Sequence, residues 1–275
     1  MKADIAFGQY CEGSSFLHRL DPRWKIIFAL LYIVALFLAK SIFAFALILV
    51  SIVLLVAVSG IRPRILLSGL RPLILIISFT AIINIFWLKG ETLLVDFLFI
   101  NIYLEGLINA LLIILRVCVL VMGTSIILTY TTTPIALTDG IEQLLSPLAK
   151  IKVPVHEFSM MMTIALRFIP TLIEETDKIM SAQKARGSDF SQGSLVKRAK
   201  ALIPILVPLF ISAFRRAEDL ATAMECRCYT GGKGRTRMNV LHSTWRDMVM
   251  LLCICAFFAG IILLNIYAPG YRFSM

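Results

Sequence analysis

Charge is scarce in this sequence of 275 residues: 16% are Asp, Glu, Lys or Arg, against 59% hydrophobic. Soluble domains carry about 25% charged and about 45–50% apolar residues. The shortage excludes an ordinary soluble globule and places the surplus of apolar residues in runs that span hydrocarbon, about 20 residues each. A Gly-x-x-x-x-Gly-Lys-Ser/Thr loop is also lacking, so the chain cannot cradle ATP by that route. Gly231-Gly232-Lys233-Gly234-Arg235 has the wrong spacing and no preceding strand, and reads as a basic turn closing a helix. The six cysteines (Cys11, Cys118, Cys226, Cys228, Cys253, Cys255) include no Cys-x-x-Cys pair and no His at zinc-ligand spacing, and read as free thiols. Only three histidines occur, His18, His156 and His242, far apart and without a carboxylate on the same helix face. They read as solvated or interfacial, and neither metal ligation nor acid/base catalysis is indicated.

Long apolar runs are what the chain has instead. The first extends from Ile26 to Ile61, broken only at Lys40-Ser41. One helix of that length would overshoot a hydrocarbon core of about 30 Å, so the run divides near Lys40 into a tight helical hairpin. Further spans are predicted over Leu73–Leu88, Gly106–Tyr130 and Met248–Tyr267. Thr92–Tyr103, rich in Phe and β-branched residues and broken by Asp96, suits an extended or interfacial outer loop. Arg116, inside the fourth span, should face protein or a water-filled cleft. Residues 1–130 thus form a first transmembrane region, 131–237 a basic helical segment, and 238–275 a last span with its tail. The net charge of +10 follows from 27 basic against 17 acidic residues. Arg19, Arg23, Lys25, Arg62, Arg64, Arg71 and the basic residues of 131–237 fall on one side of five spans, which is then cytoplasmic. The amino terminus is inside and the carboxyl terminus outside. A nucleic-acid groove is not indicated, because basic residues are not interleaved with aromatics.

Within the basic segment, a shift of 41 residues aligns Ser181-Ala182-Gln183-Lys184-Ala185-Arg186-Gly187 with Thr222-Ala223-Met224-Glu225-Cys226-Arg227-Cys228. Positions i and i+4 share a helix face, so each copy sets a small residue one turn before an arginine. The small residue lets a partner backbone approach, and the guanidinium offers a planar fork to a carboxylate. Gly187 suits a helix end; Cys228 takes positive φ less easily, and Gly231 and Gly232 stand ready to end the second helix instead. Upstream, Glu174 and Glu175 correspond to Arg215 and Arg216, so the two helices are expected to pair by charge where they cross. Taken alone, these residues leave two readings open: a docking surface for a partner, or a solvated face against anionic lipid. Pro204 and Pro208 interrupt the apolar stretch Ala201–Phe214, which lies in the interface or forms a re-entrant or sixth membrane segment. Met160-Met161-Met162 reads as ordinary packing or as an adaptable contact surface.

These motifs bring a resemblance with them. Leu20-Asp21-Pro22-Arg23-Trp24-Lys25 looks like an amino-terminal Asp-Pro-Arg signature, Ala185-Arg186-Gly187 matches an Ala-Arg-Gly motif, and Ala223 to Tyr229 with Gly231 to Thr236 resembles a second copy. Together they resemble the transmembrane T component of energy-coupling factor (ECF) transporters, a family that includes membrane subunits of cobalt and nickel uptake systems. The likeness covers nearly the whole chain, and departs from the pattern at Cys226 and Cys228, where Ala and Gly are usual.

The resemblance implies an all-α integral membrane protein, with about five transmembrane helices plus cytoplasmic coupling helices that cross each other, in a bacterial-type plasma membrane. It implies a non-catalytic scaffold whose coupling helices sit in grooves of two ABC-type ATPase subunits. Ala182, Ala185, Arg186, Gly187, Ala223, Cys226, Arg227 and Cys228 would make that contact. The membrane part would hold a substrate-binding S component for vitamin or metal-ion uptake. ATP and Mg would sit on the ATPases, with no cofactor on this chain. Asp21, Pro22 and Arg23 carry over as a signature without an assigned role. An alternative from another class is a membrane enzyme acting on lipid or isoprenoid phosphates, but Asp139, Glu142, Glu157, Glu174, Glu175 and Asp177 supply no Asp-x-x-Asp signature. An autonomous secondary carrier lacks an inverted hydropathy repeat and an acidic intramembrane site.

Overall fold

The computed structural model describes residues 10–11, 13–87, 93–97, 100–188, 194–232 and 241–267. It is a helical protein with two compact units, one of residues 1–141 and 241–275, the other of residues 142–240. In the first unit the initial apolar run divides as its polar break requires, into α1 (Pro22–Leu38) and α2 (Ile42–Ser59). Gly60, at φ 68°, closes α2 in the left-handed conformation open to glycine. The short amphipathic α3 (Pro63–Leu70) follows, burying Leu66 and Leu70, and one turn of 3-10 helix leads into α4 (Ile74–Trp87). The stretch expected to be extended forms an antiparallel hairpin, β1 (Leu93–Phe97) with β2 (Ile100–Tyr103). Then come α5 (Leu104–Thr124), a π-helical turn over Ser125–Tyr130, α6 (Pro134–Leu145) and, at the far end of the chain, α9 (Trp245–Tyr267).

Among the described residues, four stretches are long and apolar enough to cross a membrane: Ile42–Ser59, Pro63–Phe86, Gly106–Tyr130 and Trp245–Tyr267. With α1, whose 17 residues are at the short end of a spanning helix, they make about five. The expected tight hairpin needs correction. Rather than packing mainly on each other, α1 and α2 both lie against α5 and α9, while α3 and α4 rest on α5. Two spans joined by so short a turn still diverge, because other helices offer each of them a larger apolar face. Phe28, Leu36, Ile48, Ile126, Ile127 and Ile261 form the centre of this packing.

The second unit is dominated by two long helices, α7 (Val155–Ala185) and α8 (Leu195–Cys226), packed against each other. Ser194 starts α8, its hydroxyl accepting from the Lys197 amide. Prolines do not divide these helices: α7 continues through Pro170, and α8 through Pro204 and Pro208. The stretch 201–214 is therefore part of one continuous helix and is not among the four candidate spans.

Candidate partner-docking site

The two repeated motifs fold into the same backbone structure. In the first, α7 stops at Ala185, Arg186 is the capping residue and Gly187 turns left-handed at φ 87°. The Gly187 amide donates to Lys184 O at 3.0 Å and the Ser188 amide to Gln183 O at 3.0 Å. In the second, α8 stops at Cys226, Arg227 caps it and Cys228 turns left-handed at φ 58°. The Cys228 amide donates to Glu225 O at 2.8 Å and the Tyr229 amide to Met224 O at 3.0 Å. Each is the paired-bond Schellman ending that satisfies the last carbonyls of a helix. The expectation that Gly231 or Gly232 would end the second helix is thus corrected. Hydrogen bonding of two orphan carbonyls at Cys228 outweighs a left-handed penalty of about 1–2 kcal/mol for a residue with a Cβ.

Exposure repeats as well. Ala182, Ala185, Arg186 and Gly187 are exposed, as are Ala223, Cys226, Arg227 and Cys228, whereas Gln183 and Met224 are half-buried at the equivalent inward position. Of the second motif's trailing residues, Gly231 and Gly232 are described, while Lys233, Gly234, Arg235 and Thr236 lie outside the described residues.

The charge pairing expected between the helices is present at one of the two positions. Arg216 Nη2 donates to Glu175 Oε2 at 2.6 Å. Glu175 and Arg216 are themselves equivalent under the 41-residue shift, so like positions of the two helices meet. Each motif arginine lies eleven residues beyond that pair, about 16 Å along its own helix. Apolar side chains flank the meeting point, with an open cleft of about 240 Å³ lined by Ile164, Phe168, Leu172, Ala213, Ala217 and Leu220.

In the other unit, the Asp-Pro-Arg signature is a helix start. Asp21 is the capping residue of α1, accepting from the Arg23 amide at 2.9 Å, and Pro22 occupies the first helical position, where its missing N–H is no loss. Arg23 folds back on Asp21, with Nη2 to Oδ2 at 2.7 Å, and the same nitrogen donates to Leu241 O at 2.9 Å. Lys25, buried one turn on and ahead of the apolar run, donates to Thr131 O at 2.8 Å and Thr132 Oγ1 at 3.2 Å. At the other end of α1, Arg116 meets the expectation that it faces protein: Nη2 donates to Ala39 O at 2.6 Å and the guanidinium lies over the Phe45 ring. Asn265 of α9 holds the same turn, donating to Leu38 O and accepting from the Lys40 and Ser41 amides.

With this geometry, comparison with known proteins is decisive. The profile of the CbiQ family, described as cobalt transport protein, matches residues 13–239. The chain belongs to this family. Its relatives are similar almost end to end. A protein of Clostridium kluyveri is 52% identical over 254 residues, covering 92% of this chain and 94% of that one. One of Ruminiclostridium cellulolyticum is 50% identical, covering 96% and 98%, and one of Bacillus subtilis is 44% identical, covering 92% and 96%. Each is named energy-coupling factor transporter transmembrane protein EcfT. Membership of the family brings with it a membrane location and a role in transport.

Several functional-looking contacts of this family member are invisible in its sequence. His156 and His18 are half-buried and bonded rather than solvated. His156 Nδ1 lies 3.0 Å from Glu142 Oε1, and His18 bonds Ser15 Oγ at 2.6 Å and Cys11 O at 2.8 Å. Gly232 packs so closely on the His156 ring that a Cβ there would collide with it. The Glu142–His156 pair joins residues from two helices, α6 and α7, so no single-helix spacing could reveal it. All six cysteines are free thiols. Among the described residues no group of three or more His, Cys, Asp or Glu side chains gathers as a metal site.

Proposed function

We propose that this chain is the non-catalytic transmembrane scaffold of an ATP-driven ECF-type importer in the plasma membrane. Its coupling helices are α7 and α8. Arg186 and Arg227 dock into two ABC-type ATPase subunits, with Ala182, Ala185 and Gly187 at one site and Ala223, Cys226 and Cys228 at the other providing close backbone approach. The spans lie in the lipid bilayer with the amino terminus cytoplasmic and the carboxyl terminus outside. They hold a substrate-binding S component that captures a vitamin or a metal ion, and ATP and Mg²⁺ belong to the ATPases.

The observation that carries this reading is the duplication of one exposed helix ending. Two arginines, each at a capping position beside exposed small residues, and related by the same shift as the Glu175–Arg216 pair, suit two like partners better than one. The helix ending fixes the backbone of each arginine, and the exposed guanidinium fork matches a carboxylate bidentately. The transport names of the relatives support the same reading. The test is affinity purification of the chain from native membrane in mild detergent, with and without Arg186→Glu and Arg227→Glu. Two ATPase copies per chain are expected from the wild type and none from the double variant. Recovery of the wild type without an ATPase overturns the proposal.

A further inference from the structure

Within the first unit, the stretches of chain that lead into and out of the segment 142–240 meet on the same few residues. Before the segment begins, the chain passes Thr131 and Thr132, which receive the Lys25 ammonium, and then Gly140 of α6. A Cβ on Gly140 would stand 3.1–3.3 Å from Pro22 and the Arg23 amide, so α6 lies directly on the first turn of α1. After the segment ends, the returning chain is taken up at that turn again. Arg23 Nη2 donates to Leu241 O at 2.9 Å, Trp24 Nε1 to Ser243 Oγ at 2.9 Å, and the Asp21 amide to Asp247 Oδ1 at 3.0 Å. Asp247 also accepts from the Thr244 amide at 2.6 Å, the reach-back half of a capping box, and its own amide donates to the Thr244 backbone carbonyl at 2.9 Å, which together fix the start of α9.

We infer that Asp21, Arg23, Trp24 and Lys25 are positioning residues of the transport cycle, a common anchor that grips both roots of the coupling segment and passes their displacement to α1 and α9. The inference rests on the coupling role proposed above for α7 and α8. Its physical basis is geometric. Arg23 is held in place by Asp21, which leaves the guanidinium a fixed donor for Leu241; Asp21, Lys25 and Asp247 are buried, at 6%, 1% and 3% exposure. Buried charge-assisted bonds are short, directional and costly to break, so they transmit a pull that an open loop would absorb. This gives the Asp-Pro-Arg signature a task beyond starting a helix, since Asp and Pro alone do that.

The test uses the complete complex in liposomes, with hydrogen exchange read by mass spectrometry in the presence and absence of a non-hydrolysable ATP analogue, and ATP hydrolysis measured in parallel. Arg23→Lys keeps a charge for Asp21 but cannot span both partners; Trp24→Phe with Ser243→Ala removes one bond and leaves the ion pair intact. In the wild type the nucleotide is expected to alter exchange in α7 and α8 and also at residues 21–25 and 245–248. In both variants hydrolysis stays within about twofold, exchange at 245–248 rises about tenfold from the lost hydrogen bond, and the nucleotide response is confined to 142–240. A nucleotide response at 21–25 and 245–248 that survives in the variants overturns the inference, because a merely structural clasp would raise exchange without disconnecting it. Should Arg23→Lys fail to assemble, the Trp24/Ser243 pair decides alone. A wild-type complex with no ATPase, or with no nucleotide response in α7 and α8, defeats the coupling reading and is distinguished from either variant result.

Discussion

The two units differ in what they do with part of their charge. In residues 1–141 and 241–275 Arg19, Lys40, Arg62, Arg64 and Arg71 stay exposed, but a second set of charged groups is drawn inward and tied to backbone: Lys25 to Thr131, Arg23 to Leu241, Asp247 to two amides, Arg116 to Ala39. In residues 142–240 the motif arginines stand exposed at the ends of long helices, and the ion pair between α7 and α8, Glu175–Arg216, is itself partly open to solvent. A charge with buried partners contributes to holding a structure; an exposed one is available to a surface that is not this chain. The first unit is thus built as a frame and the second as a pair of arms, and the difference can be attacked from either side.

The strongest blow to the comparison falls on the arms. Reversing a charge within a desolvated interface costs about 2–5 kcal/mol, so Arg186→Glu or Arg227→Glu is expected to strip one ATPase, and the double variant both, while the thermal unfolding of the chain in detergent is unchanged. An unfolding shift comparable to that of a frame mutation would show that the arginines stabilise the fold and would erase the contrast. Next comes the frame. Asp247→Ala leaves the Asp21 and Thr244 amides without their acceptor, at about 1–3 kcal/mol for each buried orphan. A drop in unfolding temperature is expected there, and its absence would mean water replaces the carboxylate.

How far this division was legible beforehand depended on whether a signal was local. The apolar runs, the break at Lys40, the extended stretch around Asp96 and the 41-residue repeat are properties of neighbouring residues, and the helices follow them. That Arg116 faces protein was also readable, since lipid would not tolerate it. Its partner was not, because Ala39 O is a backbone atom in the turn between α1 and α2, far from Arg116 in the chain. The same holds for Lys25, His156 and Asn265, whose contacts span long separations in the chain. Divergence of α1 and α2 was hidden for a related reason: a short connection implies adjacency, but the faces offered by α5 and α9 decide packing. Cys228 shows the reverse failure, where propensity pointed to Gly231 and hydrogen bonding at the helix end prevailed.

A smaller effect probes that helix end. Cys228 holds the position that Gly187 holds in the first motif, at φ 58° against 87°. Cys228→Gly relieves a left-handed strain of about 1 kcal/mol, so exchange at the Tyr229 amide is expected to slow about fivefold, toward the protection of Ser188. No change would mean that the contacts of the cysteine side chain offset its backbone cost, making the two arms chemically different despite their shared geometry.

The smallest expected effect concerns the meeting of the arms. Glu175 and Arg216 are only partly buried, with side chains 24% and 31% exposed, and pairs of that kind contribute about 0.2–1 kcal/mol. Glu175→Arg or Arg216→Glu alone brings like charges together and should lower the unfolding temperature by one or two degrees, on the order expected for about 0.5 kcal/mol in a chain of this size. The exchanged pair, with both substitutions, should restore it. Because these two residues are equivalent under the repeat, exchange also makes each arm resemble the other at that position, so recovery separates a requirement for opposite charge from a requirement for which arm carries which sign. Failure to recover would place the hold between the arms in the apolar contacts around Leu172 and Ala213 and leave the ion pair a consequence of the crossing.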